Sequence, residues 1–112
     1  MPRIDLGTLA KTDKPKYYVY VIELEDSVGP RFNAKFPNVY VGQSVHPPDE
    51  RFAQQLAGIK AGRKKVQKHG KWLRRKLYES YNPIDTRQLA LAREAWLAKH
   101  LRDIGYTVHG GT

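Results

Sequence analysis

Cysteine is absent from the 112 residues, so neither a disulfide framework nor a thiolate metal site can hold this chain together, which suits a reducing intracellular setting. Long apolar runs are absent too. No stretch approaches the roughly 18 to 20 apolar residues of a membrane span, and the opening MPRIDLGTLAKTDKPK has no apolar core of a secretory signal. A soluble, cytoplasmic protein is expected, with no membrane partner and no obligate protein partner in evidence. Acidic residues are scarce: 11 Asp and Glu stand against 20 Lys and Arg, for a net charge of +9. Such an imbalance concentrates polyanions at the surface, which makes nucleic acid the first partner to consider. The plainer alternative is a basic surface that serves solubility or a structural role.

With 40% hydrophobic residues, the chain is long enough for one compact core and too short for two ordinary domains. Residues 1–16, polar, lysine-bearing and broken by Pro15, read as a flexible arm before a single domain over 17–112. YYVYVIEL, at 17–24, is dense in β-branched and aromatic residues; Tyr18, Tyr20, Ile22 and Leu24 share one face and Val19 and Val21 the other, as in a central strand. Gly29-Pro30 and Pro37 mark a long irregular connection. VYVG at 39–42 is a second strand, most simply antiparallel to the first.

Pro47-Pro48 followed by Asp49 and Glu50 starts a helix, since proline loses no needed hydrogen bond in the first turn and acidic residues there suit the helix dipole. Phe52, Leu56 and Ile59 form its apolar stripe, and Gly62 is its expected stop. Residues 63–82, RKKVQKHGKWLRRKLYESYN, are the most basic segment and fit neither period; a short helix followed by an extended or helical piece is expected. In the last long helix the stripe runs through Leu89, Ala92, Trp96, Leu97, Leu101 and Ile104, with Asp85 or Thr86 as cap and Gly105 as terminator. YTV at 106–108 can add an edge strand. The expected fold is therefore α+β, a small central mixed or antiparallel sheet flanked by helices.

Two charges sit awkwardly in this scheme. Arg51 occupies a first helical turn, where a cation opposes the dipole and needs another reason to be present. Glu94 lies on the core-facing flank of the last helix, where an ionised carboxylate is costly unless a cation meets it. A salt bridge to a neighbouring Arg or Lys is the plain account.

The order of these features resembles the GIY-YIG nuclease superfamily over residues 17–111. YVY at 18–20, YVG at 40–42, the arginine of DERF, and REAWLAKHLRDIGY follow one another as the family's signatures do. The resemblance implies a GIY-YIG-like fold and a divalent-metal-dependent DNA endonuclease, DNA being preferred to RNA. It assigns Tyr20 and Tyr40 to the two signature tyrosines, Arg51 to the family's arginine, and Glu94 to its single Mg²⁺ or Mn²⁺ ligand. Departures are also visible. Tyr18 replaces the first glycine of the name, and the connection between the signatures is longer than a hairpin, which makes its tip an added substrate or partner surface. Gln55 stands where the family commonly has histidine, and near the C-terminus only Thr107 or His109 is available where the family has asparagine.

The chemistry asks for these residue types. Phosphodiester hydrolysis needs an activated water, neutralised phosphate charge and a stabilised leaving oxygen. Glu94 can hold a hard cation whose other ligands are water and phosphate oxygens; Arg51 can clamp a phosphate oxygen; Tyr20 or Tyr40 can accept a proton once a nearby charge lowers a phenol pKa of about 10. Gln55 can orient a phosphate or water but cannot hold a proton near neutral pH. Lys64, Lys65, Lys71, Trp72, Arg74 and Arg75 form a candidate surface for the nucleic-acid backbone, with Trp72 able to stack an unpaired base. His46, His69, His100 and His109 show no spacing of a zinc site, although His46 and His109 can line the same cleft. The alternative function is a nucleic-acid-binding module that keeps the fold with weakened catalysis.

Overall fold

The computed structural model describes residues 15–60 and 64–111. All but the last two residues of the expected N-terminal arm, and the expected helix stop Gly62, lie outside the described residues. Strand β1 is Tyr18–Leu24 and β2 is Asn38–Ser44; they pair antiparallel from Tyr18↔Ser44 to Leu24↔Asn38. Helix α1 is Pro48–Leu56, α2 is Lys65–His69, strand β3 is Gly70–Leu73, helix α3 is Arg87–Ile104 and strand β4 is Thr107–Gly110. The strand order is β3-β1-β2-β4, with β3 antiparallel to β1 and β4 parallel to β2. The domain is α+β, and of the two sheet types expected it has the mixed one.

Alternation in β1 produces the layers. Val19, Tyr20, Val21, Ile22 and Leu24 are all buried, so both faces of the strand are covered. The tyrosine side meets α1 through Gln55. The valine side meets α3, whose Ala90 and Ala98 let the helix lie close; a Cβ built on Gly111 would stand 2.7 Å from the Ala98 Cβ and 3.2 Å from the Val41 Cβ. The Asn82 side chain extends the sheet locally, donating to the Val19 carbonyl at 2.8 Å and accepting from its N–H at 2.9 Å.

The helix faces differ from the expected stripes. In α3 the buried residues are Ala90, Leu97, Ala98 and Leu101, while Leu89, Trp96 and Ile104 are exposed. Close approach to a valine surface selects the alanines and rotates the bulkier side chains to the flanks. Trp96 instead stacks on His100, ring centroids 4.7 Å apart and planes at 10°, beneath the Arg93 guanidinium at 4.9 Å. The Thr86 cap, accepting from the Leu89 N–H at 3.1 Å, and the Gly105 stop at φ 134° are as expected. In α1, Leu56 and Ile59 are exposed and Gln55 is the buried residue. The helix ends at Leu56, ahead of Ile59, and the chain turns at Gly58 with φ +85°.

The basic segment is a short helix and then a strand, followed by two 3-10 turns at Arg75–Leu77 and Glu79–Tyr81. Between β1 and β2 the connection is folded back on the domain: the Phe36 ring packs on Tyr106 at 4.9 Å, and the Phe32 N–H donates to the Thr107 hydroxyl. Among the described residues no helix is long and apolar enough to cross a membrane.

Candidate active site

Because Tyr20 pairs with Gly42 and Ile22 with Tyr40, the two tyrosines lie diagonally on one face of the sheet, ring centroids 6.4 Å apart. Each ring needs a glycine beneath it. A Cβ on Gly42 would stand 2.5 Å from the Tyr20 hydroxyl oxygen, and one on Gly110 2.8 Å from the Tyr40 Cε1. The glycine of YVG is thus required by a side chain on the neighbouring strand. Gly42→Ala is expected to displace the Tyr20 ring and destabilise the domain by about 1–3 kcal/mol, the usual cost of overpacking. Chemical denaturation measures this, and an unchanged midpoint would show that Tyr20 has room to move.

Tyr20 is 2% exposed and donates its hydroxyl hydrogen to Gln55 Oε1 at 3.1 Å. Burial, above all, pushes its pKa far above that of a free phenol; Tyr40 and Glu94 add to the rise, and the nearby Arg51 guanidinium offsets part of it. Tyr20 is therefore a neutral hydrogen-bond donor, poorly suited to take a proton from water. Tyr40 keeps part of its surface in solvent. Gln55, 2% exposed, is held as an acceptor for Tyr20, which fits an orienting role and places its carbonyl oxygen away from bulk water.

Arg51 has a structural partner set that its position in the sequence did not reveal. Its guanidinium donates to the Ile59 carbonyl at 3.1 Å, to the Lys60 carbonyl at 2.7 Å and to Gln54 Oε1 at 3.3 Å. A cation in the first turn of α1 is thus explained by the turn that follows the same helix, whose carbonyls it ties. Three of its N–H donors are engaged by these acceptors and the guanidinium also faces the Tyr20 hydroxyl, so what it can offer a phosphate is the remainder of its fork.

Glu94 contrasts with Arg51. It is half-buried, burial raises its pKa above the ordinary carboxylate range, and it makes no hydrogen bond or ion pair among the described residues. The plain salt bridge expected for it does not form. Glu94 adds to the rise in the Tyr20 pKa, after burial and Tyr40, which brings the carboxylate of α3 within electrostatic reach of the buried tyrosine and its Gln55 and Arg51 neighbours.

No family model, curated protein or solved structure matches this chain. The site must be judged on its own geometry.

The donor set sets limits on a metal. Among the described residues no three His, Cys, Asp or Glu side chains converge, so a caged ion with several protein ligands has no place. His46 pairs with Glu50 at 2.9 Å, His69 with Ser27 at 2.8 Å, and His109 with Lys65 at 2.9 Å, which disperses the histidines. A hard divalent cation that keeps its waters and is bound through one carboxylate and substrate phosphate fits Glu94.

The basic segment is less available than its composition implies. Lys71 and Arg74 both reach Glu23, at 3.2 and 3.0 Å, and Arg75 reaches Asp49 at 2.6 Å. Lys64, Lys68 and Lys76 have no ion pair among the described residues, and Trp72 is exposed under the Lys71 ammonium at 4.4 Å. The sequence named Lys71, Arg74 and Arg75 and passed over Lys68 and Lys76, because the acids that neutralise the first three lie 26 to 51 positions away in the chain. Replacing Lys64, Lys68 and Lys76 together by Ala should flatten the salt dependence of DNA binding by up to about 0.9 per lost phosphate contact. Replacing Lys71, Arg74 and Arg75 should change it less. Equal slopes for the two triple variants would show that the pairing does not matter.

Proposed function

We propose that this chain is a divalent-metal-dependent endonuclease of the GIY-YIG type that hydrolyses phosphodiester bonds, preferring DNA to RNA. The observation that carries the reading is Glu94, a half-buried carboxylate with no partner among the described residues, set in the neighbourhood of a tyrosine pair and an arginine. Such a charge is unfavourable in the free protein and becomes favourable when a cation is delivered to it. Mg²⁺ or Mn²⁺ held by Glu94 would supply positive charge to the phosphate and the leaving oxygen.

The protein's own groups divide the remaining work. Tyr40, the more exposed tyrosine, first gives its own hydroxyl proton to solvent and then, as phenolate, accepts the proton of the attacking water as the water oxygen bonds to phosphorus; the bond to the leaving oxygen breaks, and that oxygen takes a proton from solvent. Arg51, through the part of its fork not tied to the turn after α1, holds a nonbridging oxygen. Tyr20, neutral and fixed by Gln55, keeps the floor of the site polar and in register.

A second reading, a nucleic-acid-binding module with weakened catalysis, draws support from Gln55, which is committed to Tyr20 and supplies no imidazole. Supercoiled plasmid incubated with the purified protein in Mg²⁺, Mn²⁺ or chelator separates the two. Nicked or linear product in metal alone is the expected result. Retarded but intact plasmid under all three conditions would replace the nuclease by the binding module.

A further inference from the structure

Beside Tyr40, on the same face of the sheet, is a second polar group that the proposed chemistry does not use. His109 of β4 is the register partner of Tyr40 in β2, so the two side chains are neighbours across about 5 Å of strand spacing. The imidazole is clamped from two sides. Its Nδ1 is 2.9 Å from the Lys65 ammonium at the start of α2, and its Nε2 is 3.1 Å from Asn38 Oδ1. Asn38 is completely buried and its amide nitrogen donates to the Gly29 carbonyl at 3.1 Å, which leaves its amide oxygen to face the histidine.

This chain of bonds fixes the proton. The Asn38 oxygen can only accept, so His109 carries its hydrogen on Nε2 and presents a bare Nδ1 to Lys65. One N–H of the ammonium is directed at that lone pair and two remain. The surroundings are uniformly basic: Lys65 and His69 come from α2 and Arg102 from α3, each lowering the pKa of His109 after burial, and no Asp or Glu bonds to any of the four among the described residues. Elsewhere in the same segment Lys71, Arg74 and Arg75 have found carboxylates. Here, beside the register partner of Tyr40, no carboxylate among the described residues supplies the counter-charge.

We propose that Lys65 is the binding group of a phosphate pocket beside Tyr40, with His109 and Asn38 as the residues that position its ammonium. The ligand is a backbone phosphodiester of the nucleic acid. This deepens the proposed function and rests on it for the identity of the strand, but the anion pocket itself stands on the Lys65, His109 and Asn38 contacts. A lysine pinned to a neutral imidazole loses less freedom on binding than one in open solvent, so this one contact should outweigh the exposed lysines around it.

The experiment uses the full chain. Imidazole ¹⁵N spectra should show His109 as the Nε2–H form, and inorganic phosphate should move its Nδ1 signal saturably in the wild type and not in Lys65→Met. In metal-free buffer, Lys65→Met should weaken duplex DNA binding about tenfold and lower the salt slope by about 0.9, whereas Lys99→Met, on the exposed face of α3 and paired with Asp103 at 2.8 Å, should stay within about twofold. His109→Leu should weaken binding in the same direction, and the double variant should be no weaker than Lys65→Met alone, because the two act as a unit. An Nδ1 signal indifferent to phosphate, or equal losses in Lys65→Met and Lys99→Met, would overturn the pocket. Wild type that binds phosphate and DNA through Lys65 yet cuts nothing would remove the nuclease reading and leave the pocket standing. Full cleavage and binding by Lys65→Met would do the reverse.

Discussion

Glu94→Gln is expected to lower metal-dependent cleavage by at least about 100-fold, near 2.7 kcal/mol of barrier, while leaving DNA affinity in metal-free buffer within about twofold. The amide keeps the shape of the side chain and removes the charge that would hold a cation. The same variant should be more stable than the wild type at neutral pH. Burial raises the folded-state pKa of Glu94 above its unfolded value, so the native state binds the proton more tightly. The resulting loss of stability is present once pH exceeds that pKa and is recovered as pH falls through it. Glu94→Gln removes the loss, so its melting temperature should exceed that of the wild type by a few degrees at pH 7 and converge with it in acid. Mg²⁺ should raise the wild-type melting temperature and not that of the variant. Cleavage above about a tenth of the original rate, or equal stabilisation of both proteins by Mg²⁺, would strip Glu94 of its role.

Tyr40→Phe should reduce cleavage by about 100-fold or more, the lower range of general-base effects, with little change in stability because the ring and its packing over Gly110 persist. Tyr20→Phe should reduce cleavage less than about tenfold. Its main effect falls on the fold: without the hydroxyl, Gln55 Oε1 is left unsatisfied in a buried position, at about 1–3 kcal/mol. The distinction follows from environment, since burial holds the Tyr20 proton in place. Single-turnover cleavage and thermal unfolding of the two variants measure it side by side. If Tyr20→Phe stays folded and loses as much rate as Tyr40→Phe, the proton acceptor has been placed on the wrong strand.

The strands were the most legible part of the chain. Seven residues of alternating β-branched and aromatic character, repeated in shorter form at VYVG, can bury both faces only as neighbouring strands, and β1 and β2 pair in that way. The start of α1 and both ends of α3 were equally plain, because Pro47-Pro48, Thr86 and Gly105 act through local backbone groups, whereas α1 stops at Leu56, short of the expected Ile59. Helix faces were not. Counting large apolar residues pointed to Trp96, Leu56 and Ile59, all of them exposed, whereas the sheet accepted Ala90, Ala98 and Gln55. Hydrophobicity says which side chains gain from burial, while closeness of approach decides which of them fit.

By itself the sequence singled out Tyr20, Tyr40, Arg51, Gln55 and Glu94 as the residues to watch, and a net charge of +9 made nucleic acid the first partner to consider. These follow from residue type and local order, which a sequence states directly. Only the tertiary structure decided which charges are spoken for. Arg51 ties the carbonyls after its own helix, and Glu23 and Asp49 neutralise three of the basic residues. Glu94 goes unpaired among the described residues, and His109 fixes Lys65 from 44 positions away. Electrostatic interactions act through space and, between exposed charges, are screened beyond roughly 8–10 Å, so the identity of a charged residue gives its capacity and the fold alone gives its neighbour.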